Sequence, residues 1–375
     1  PTNAATPYST YYGIPRLSGR KNDLAISPSN PAIMYVASAG GGVWKTVNSG
    51  VNWTPLGDKW AFLHVSSVAV HTTNPNIVLA GTGDYNGFFG AQTQGLMRSA
   101  DGGNTWTQVG PGSIKDEIVT KIIFDPSNPN IVVACSGKST NGDFGSVYRS
   151  TDAGATWVRT GFGLSFEDME RGPTGVYWLV GTDNVNGGVF YSTDGGQSWG
   201  AAFNPCVNVQ QSLDIACSRV NANVVYLLAT GDEEIYKTTN GGATWGSVKG
   251  NFPNGYAQDP NYNWSQKTYD QWIGTTVVGG VDVVLVGLIG INQSVGGNGS
   301  WTDISQTYAQ SPPNYIHSDQ HMFTVHPSNP EIMFFGCDGG LFRYNFSANP
   351  IAANFASLNA NIKDMQLYQM SLHPT

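Results

Sequence analysis

SADGGNTW, residues 99–106, is the stretch on which the reading of this chain turns. An acid, a glycine pair, a hydroxyl residue and a tryptophan fall within eight positions. An aspartate there accepts backbone N–H groups in a tight turn, and glycine takes the positive-φ position. The tryptophan brings a large apolar surface to bury between neighbouring layers. The stretch recurs as STDAGATW (150–157), STDGGQSW (192–199) and TTNGGATW (238–245). TVNSGVNW (46–53) is a looser copy, and SVGGNGSW (294–301) has lost the acid. The closing tryptophans are Trp53, Trp106, Trp157, Trp199, Trp245 and Trp301. Their spacing of about 40–55 residues is the length of one four-stranded propeller blade.

A second repeated element precedes the turn. LAISPSNPAIMYVAS, VAVHTTNPNIVLAGT, IIFDPSNPNIVVACS and FTVHPSNPEIMFFGC each place a Pro/Asn turn between two apolar strands. Proline fixes φ, and asparagine tolerates left-handed backbone. A third strand runs into the acid-and-tryptophan turn (GVWKT, GSVYRS) and a fourth leaves it (WTPL, WVRT). Each repeat therefore predicts four antiparallel strands.

Composition agrees. The 375 residues are 40% hydrophobic and 12% aromatic, enough for a large core, with 47 Gly and 20 Pro for turns. Charged residues make up 12%, about half the usual share, a pattern common in secreted proteins. The net charge of −8, with no Lys/Arg cluster, argues against a nucleic-acid partner. The longest apolar run, VDVVLVGLIGI (281–291), is strand-length and too short to span a membrane. PTNAATPYST at the start has no signal-peptide pattern, which fits a mature or trimmed chain. Cys135 and Cys337 end apolar strands, whereas Cys206 and Cys217 are close enough in sequence for a local disulfide. No zinc spacing or dinucleotide fingerprint is present, so neither a metal nor a cofactor is expected.

S-x-D-x-G-x-T-W resembles the Asp-box of the BNR-repeat β-propellers, which include sialidases, sortilin-type receptors and two-propeller xyloglucanases. GRKNDLAISPSNPAIMYVASAGGGVWKT followed by VLAGTGDYNGFFG is similar to the large secreted bacterial group of xyloglucanase-like BNR proteins. The resemblance implies an all-β, seven-bladed propeller in an extracellular setting. Blades are expected near 20–60, 64–110, 117–160, 163–203, 209–250, 268–305 and 317–360. Residues 1–19 form an N-terminal extension packing on the propeller. Residues 361–375 are either a closing strand or the start of a further domain, such as a second propeller.

Function is expected on loops held by this scaffold. Between second and third strands, or between blades, the sequence places Asp84, Tyr85, Phe88, Asp168, Trp264, Tyr269, Asp270 and His317 as candidate ligand-binding residues. GFGLSFEDMERG (161–172) is among these expected loops. Aromatic rings beside carboxylates suit the C–H faces and hydroxyls of sugars, and also suit peptides. Glycoside hydrolysis needs two carboxyl groups facing one bond. The resemblance would put an acid in the first repeat, but ASAGGGVWKT has Ala39 or Gly40 there. The last repeat, GCDGGLFR, supplies Asp338, and GTDNVNGG supplies Asp183. IHSDQH (316–321) leads into the first strand of the last repeat. If extended, it sets His317, Asp319 and His321 on one face, with the histidines ~13 Å apart, too far to share one metal ion. Asp338, Asp319 and His321 are the catalytic candidates. The expected function is a secreted protein that binds or hydrolyses a polysaccharide. The alternative is a non-catalytic module binding an extracellular protein or peptide, or forming part of a surface assembly.

Overall fold

The computed structural model describes residues 17–85, 92–139, 144–182, 187–202, 204–206, 212–253, 264, 266–305, 307, 316–346 and 354–364. Its elements are mostly β-strands, with a short 3₁₀ turn at Gly112–Asp116. The first sheet joins β1 (Lys21–Ile26), β2 (Met34–Ser38), β3 (Gly42–Thr46) and β4 (Thr54–Pro55) in that order. The second joins β5 (Val65–Val70), β6 (Val78–Thr82), β7 (Leu96–Ser99) and β8 (Thr107–Val109). A seven-stranded sheet follows: β9 (Glu117–Phe124), β10 (Val132–Ser139), β11 (Gly145–Ser150), β12 (Val158–Arg171), β13 (Tyr177–Thr182), β14 (Gly187–Ser192) and β15 (Gly200–Ala201). Next come β16 (Leu213–Cys217), β17 (Val225–Ala229), β18 (Glu234–Thr238) and β19 (Gly246–Ser247). β20 (Trp272–Val278), β21 (Val281–Gly287), β22 (Ile291–Val295) and β23 (Thr302–Asp303) form another four-stranded sheet. β24 (Gln320–His326), β25 (Asn329–Cys337), β26 (Gly340–Asn345) and β27 (Phe355–Ser357) form the last. All pairings are antiparallel.

The strands β1, β5, β9, β12, β16, β20 and β24 lie against one another in succession, and β24 returns against β1. This closed circle is the axis of a β-propeller. Side chains tie most of the inner strands to the backbone of a neighbour. Asp23 accepts the Val68 N–H at 2.9 Å, and Ser66 and Ser67 donate to the Val119 carbonyl. Thr120 donates to the Phe166 carbonyl at 2.9 Å. Asp168 and Asp214 accept the N–H groups of Ile215 and Ile273 at 3.3 and 3.2 Å. Thr276 of β20 donates to the Pro330 carbonyl of β25, and Thr324 of β24 donates to the Leu24 carbonyl at 3.1 Å, back to β1. Farther out, apolar cores fill the space between neighbouring sheets. One unites Leu24, Val36 and Trp53 with Met322, Phe334 and Leu341; another unites Trp272, Val283 and Leu285 with Met333 and Phe335.

The acid-and-tryptophan turns at 99–106 and 150–157 share one bonding pattern. Ser99 Oγ donates to Asp101 Oδ1 at 2.8 Å and accepts the Gly103 N–H at 2.8 Å. Asp101 accepts the Thr105 N–H and hydroxyl at 2.9 and 2.6 Å, and Trp106 Nε1 donates to the Gly103 carbonyl. Ser150, Asp152, Gly154, Thr156 and Trp157 reproduce the set. The hydrogen bonds from Thr105 hold the Asp101 carboxyl down to about 2. The turn needs two successive left-handed residues. Glycine pairs supply them at 102–103, 195–196 and 241–242, while Ala153 and Ser49 take φ of 56° and 57° where the first glycine is missing. In the Pro/Asn turns, the residue opening each turn caps it. Ser27, Asp125 and Ser218 each accept an N–H three residues on. His71 Nδ1 accepts two such N–H groups and His326 Nδ1 accepts one.

Two sequence expectations change here. GFGLSFEDMERG is no loop: it forms most of the fourteen-residue strand β12. The first part of β12 pairs with β11, up to Leu164, and the remainder with β13 from Ser165. The strand turns without breaking because Gly163 adopts φ of 109° and a register shift follows between Phe166 and Asp168. Cys206 and Cys217 are both free thiols packed around one core.

Among the described residues, side chains link the two ends of the ring. Lys21, 0% exposed, donates to both oxygens of Asp364 at 3.0 and 2.8 Å. Asp364 also accepts from Ser38 Oγ and from the Gly19 N–H. Asn361 brackets Trp53, accepting its N–H at 2.7 Å and donating to its carbonyl at 2.8 Å, while Trp53 Nε1 reaches the Leu358 carbonyl. Ser18 bonds Gly339 and Asn359. Residues 1–16 and 365–375, on which the terminal expectations mostly fall, lie outside the described residues.

Candidate functional site

At one end of the axis, side chains from four sheets meet. Asp338 follows β25, His321 is the second residue of β24, Tyr269 and Asp270 precede β20, Arg20 precedes β1 and Asp84 follows β6. Tyr269 Oη donates to both Asp338 oxygens at 3.0 Å, and His321 Nε2 donates to Asp338 Oδ1 at 3.0 Å. The Tyr269 and His321 rings meet edge to face with centroids 4.8 Å apart. The Arg20 guanidinium lies over the Tyr269 ring, 5.3 Å from its centroid, and pairs with Asp84. Burial alone would push Asp338 up. The His321 hydrogen bond, the Arg20 charge and the Tyr269 hydroxyl outweigh it and hold Asp338 below the usual carboxylate range. Burial keeps His321 neutral by lowering its pKa.

Beside this ionised carboxylate are two whose pKa values are raised. Burial and the Asp338 charge push Asp319 up to about 6. Asp270, 0% exposed, is pushed up to about 10 by burial and then by the charge of Asp319. Its oxygens find no donor among the described residues, so the Asp270 proton is the one shared toward Asp319. Like-charged carboxyls in one dry site cannot both ionise. Gln266 Nε2 and Ser318 Oγ donate to Asp319 at 3.4 and 3.2 Å.

IHSDQH is not extended throughout. Asp319 has φ of 64°, a left-handed value that aspartate accepts more readily than most residues, and β24 begins only at Gln320. The kink is fixed by Asp319 N–H to Ile289, Gln320 N–H to Leu288 and Asp338 N–H to the Asp319 carbonyl. The alternation that put both histidines on one face therefore fails. His321 turns to Asp338, while His317 packs on Gly339, where a Cβ would sit 2.4 Å from that of His317.

Other candidates are dispersed. Tyr85 donates to Glu167 at 3.0 Å. Asp168 pairs with Lys121 at 3.2 Å along the axis. Trp264 is 4% exposed and packs on Phe252 at 5.6 Å, so it offers no open platform. Phe88 and Asp183 lie outside the described residues. Among the described residues no group of three or more His, Cys, Asp or Glu is arranged to hold a metal ion.

Sequence reasoning missed Arg20, and it did not foresee that the Tyr269 hydroxyl would hold Asp338 while its ring lies between Arg20 and His321. A signal was present, since R-K-N-D (20–23), Lys121 and Asp214 interrupt apolar first strands. Charges inside an inner strand face the axis.

No family model matches the chain. A xyloglucanase from a Paenibacillus species is 25% identical over 306 residues, covering 78% of this chain and 27% of that protein. A xyloglucanase of Hypocrea jecorina is 26% identical over 217 residues, covering 46% of this chain and 25% of that protein. The chain thus spans about a quarter of the length of the curated relatives it matches. Among solved structures, an ancestral GH74 enzyme superposes with TM-score 0.65 at 19% identity, over 90% of this chain and 46% of that one. YCF48 bound to D1 peptide superposes with TM-score 0.58 at 14% identity, over 88% of this chain and 95% of that one. These structural likenesses support the propeller fold.

Proposed function

We propose that the chain is a seven-bladed Asp-box propeller that acts outside the cell on a polysaccharide of the xyloglucan type. The blade count treats β12 as the outer strand of one blade and the inner strand of the next, so that the seven-stranded sheet contributes two. Support for the count comes from the seven inner strands around the axis and from a core between each successive pair.

The chemistry is acid/base hydrolysis by carboxyl groups. Asp338 is the ionised member and Asp319 the proton carrier. Pairs of carboxyls whose environments push their pKa values apart are how such roles divide. The observation carrying this reading is the triple contact of Asp338 with Tyr269 and His321, beside an Asp319 poised at about 6. The similarity to curated xyloglucanases supports the substrate class. A second ring, in the same polypeptide or a partner, would complete a cleft over this end of the axis.

The test is product analysis with xyloglucan and its oligosaccharides, using the wild type and Asp338→Asn. Glycan fragments from the wild type and none from the variant support the reading. Saturable glycan binding without fragments from either reassigns the protein as a binding module. Neither binding nor products from any extracellular polysaccharide sinks the reading.

A further inference from the structure

Below the Asp338 cluster a cavity of about 690 Å³ follows the propeller axis. Residues 271–277 and 321–327 line it without interruption, a run of about 20 Å at the rise of a strand. It is therefore long and narrow. Six carboxyl groups line it: Asp23, Asp84, Glu167, Asp168, Glu170 and Asp214. Three have ion pairs of their own: Asp84 with Arg20, Asp168 with Lys121 and Glu170 with Arg219. Asp23, Glu167 and Asp214 have no ion pair among the described residues. Asp23 and Asp214 accept backbone N–H groups, and Glu167 accepts Tyr85, Thr182 and the Leu213 N–H.

An independent observation points to a ligand. Among the buried atoms without a hydrogen-bond partner are Asp84 Oδ1, Gln271 Oε1 and His321 Nδ1, all on residues that line this cavity. Asp84, Gln271 and His321 are each 8% exposed. Because His321 Nε2 donates to Asp338, its Nδ1 is an acceptor, and so are the other two. Buried acceptors are seldom left empty. An ammonium group, with three N–H donors and no acceptor, is the kind of group that suits acceptors alone.

We propose that the axial channel binds a linear aliphatic di- or polyamine, with one ammonium at Asp84, Gln271 and His321 and the next beside Asp23 and Asp214. Lys121 is the internal precedent: its alkyl stem carries an ammonium to 3.2 Å from Asp168 in the same channel. A neutral polyol would give the three acids without an ion pair no cation to ionise against.

The titration behaviour agrees with the geometry. Burial pushes Asp23 up against the pull of Lys121, and pushes Glu167 up to about 7 with a further push from Asp168. Asp214 is pushed up by burial and then by Asp168, against Lys121. Lys121 is itself raised despite its burial, by Asp168, Asp23, Glu170 and Asp214. An entering dication lets these acids ionise, so binding releases protons and tightens as pH rises.

The test is calorimetric titration of the intact chain with 1,4-diaminobutane at constant ionic strength, at pH about 6 and about 8. Saturable binding is expected, about tenfold or more tighter at the higher pH, since one proton released per pH unit is one decade. Asp214→Asn is expected to weaken binding by at least about tenfold, and Lys121→Met, which removes the built-in competitor, to tighten it by a similar factor. Gln271→Leu weakens it at the mouth and serves where Asp214→Asn does not fold. Absence of heat beyond that of sodium chloride overturns the proposal. So does equal binding of 1,4-butanediol or Mg²⁺, or a shift in the same direction for Lys121→Met and the acid variants. The proposal stands independently of glycan hydrolysis, which the titration does not involve.

Discussion

Asp270 is a carboxyl group that this fold keeps protonated. Its folded pKa of about 10 lies far above the unfolded value of about 3.9, so the folded state binds the proton more tightly. The sign follows: this group favours folding least at high pH, and stability is lost as pH rises from about 4 toward 10. Asp270→Asn keeps the shape and removes the titration. The variant is expected to melt above the wild type by a margin that widens with pH, on the order of a few kcal/mol by pH 8. Melting curves taken across pH 4–9 decide it; a constant gap would mean that Asp270 is charged. Asp319 gives a kinetic counterpart. Hydrolysis that uses its proton is expected to decline above pH about 6, and Asp319→Asn to abolish the alkaline limb of the kcat/KM profile. Asp338→Asn is expected to cost ~10²–10⁴ in kcat, the usual worth of a positioned acid/base group. Asp338 and IHSDQH were legible as candidates because acids and histidines stand out beside glycine pairs. Their partners were not legible, because Tyr269, Arg20 and Asp84 arrive from other sheets. Nor does the sequence announce that Asp319 turns left-handed.

Among the elements, the turns were the most legible because their chemistry is local. Asp101, Gly103, Thr105 and Trp106 satisfy one another within eight residues. The third copy permits a sharp comparison. Ala153 has φ of 56° and Gly154 φ of 82°, and a Cβ on Gly154 would sit 2.8 Å from Leu79 Cδ1. Gly154→Ala is expected to destabilise by more than ~1 kcal/mol, whereas Ala153→Gly is neutral or stabilises by up to ~1 kcal/mol. Chemical denaturation of both variants checks the pair, and equal losses would discount the turn strain. The strand β12 was illegible for the opposite reason. G-F-G-L-S-F reads as a loop, yet glycine serves there to bend a strand that stays hydrogen-bonded on both sides.

At the scale of the whole molecule, a buried ion pair and a few amides reinforce the packing of the last sheet on the first. Lys21 is buried, and burial lowers its pKa against the pull of Asp364. Removing one partner strands a charge in the interior, at a cost of ~3–5 kcal/mol. Lys21→Met and Asp364→Leu are each expected to lose that much, and the double variant to recover most of it. A double-mutant cycle by urea denaturation measures the coupling; additive losses would show that the pair does not act as a unit. The propeller class was legible from the repeat period. The closure was not, because Lys21, Asp364 and Asn361 have no motif and meet only once the circle exists.

That latch sets a timetable for synthesis. The Lys21 ammonium finds its counter-charge in Asp364 and the Trp53 backbone its partner in Asn361, so the first sheet stays unlatched until residue 364 has been made. Until then a nascent molecule carries an unneutralised lysine in an apolar wall and an open flank on its earliest blade. Chaperones and proteases would meet that flank first. A chain released a few residues before Asn361 would contain every described sheet and still lack this latch.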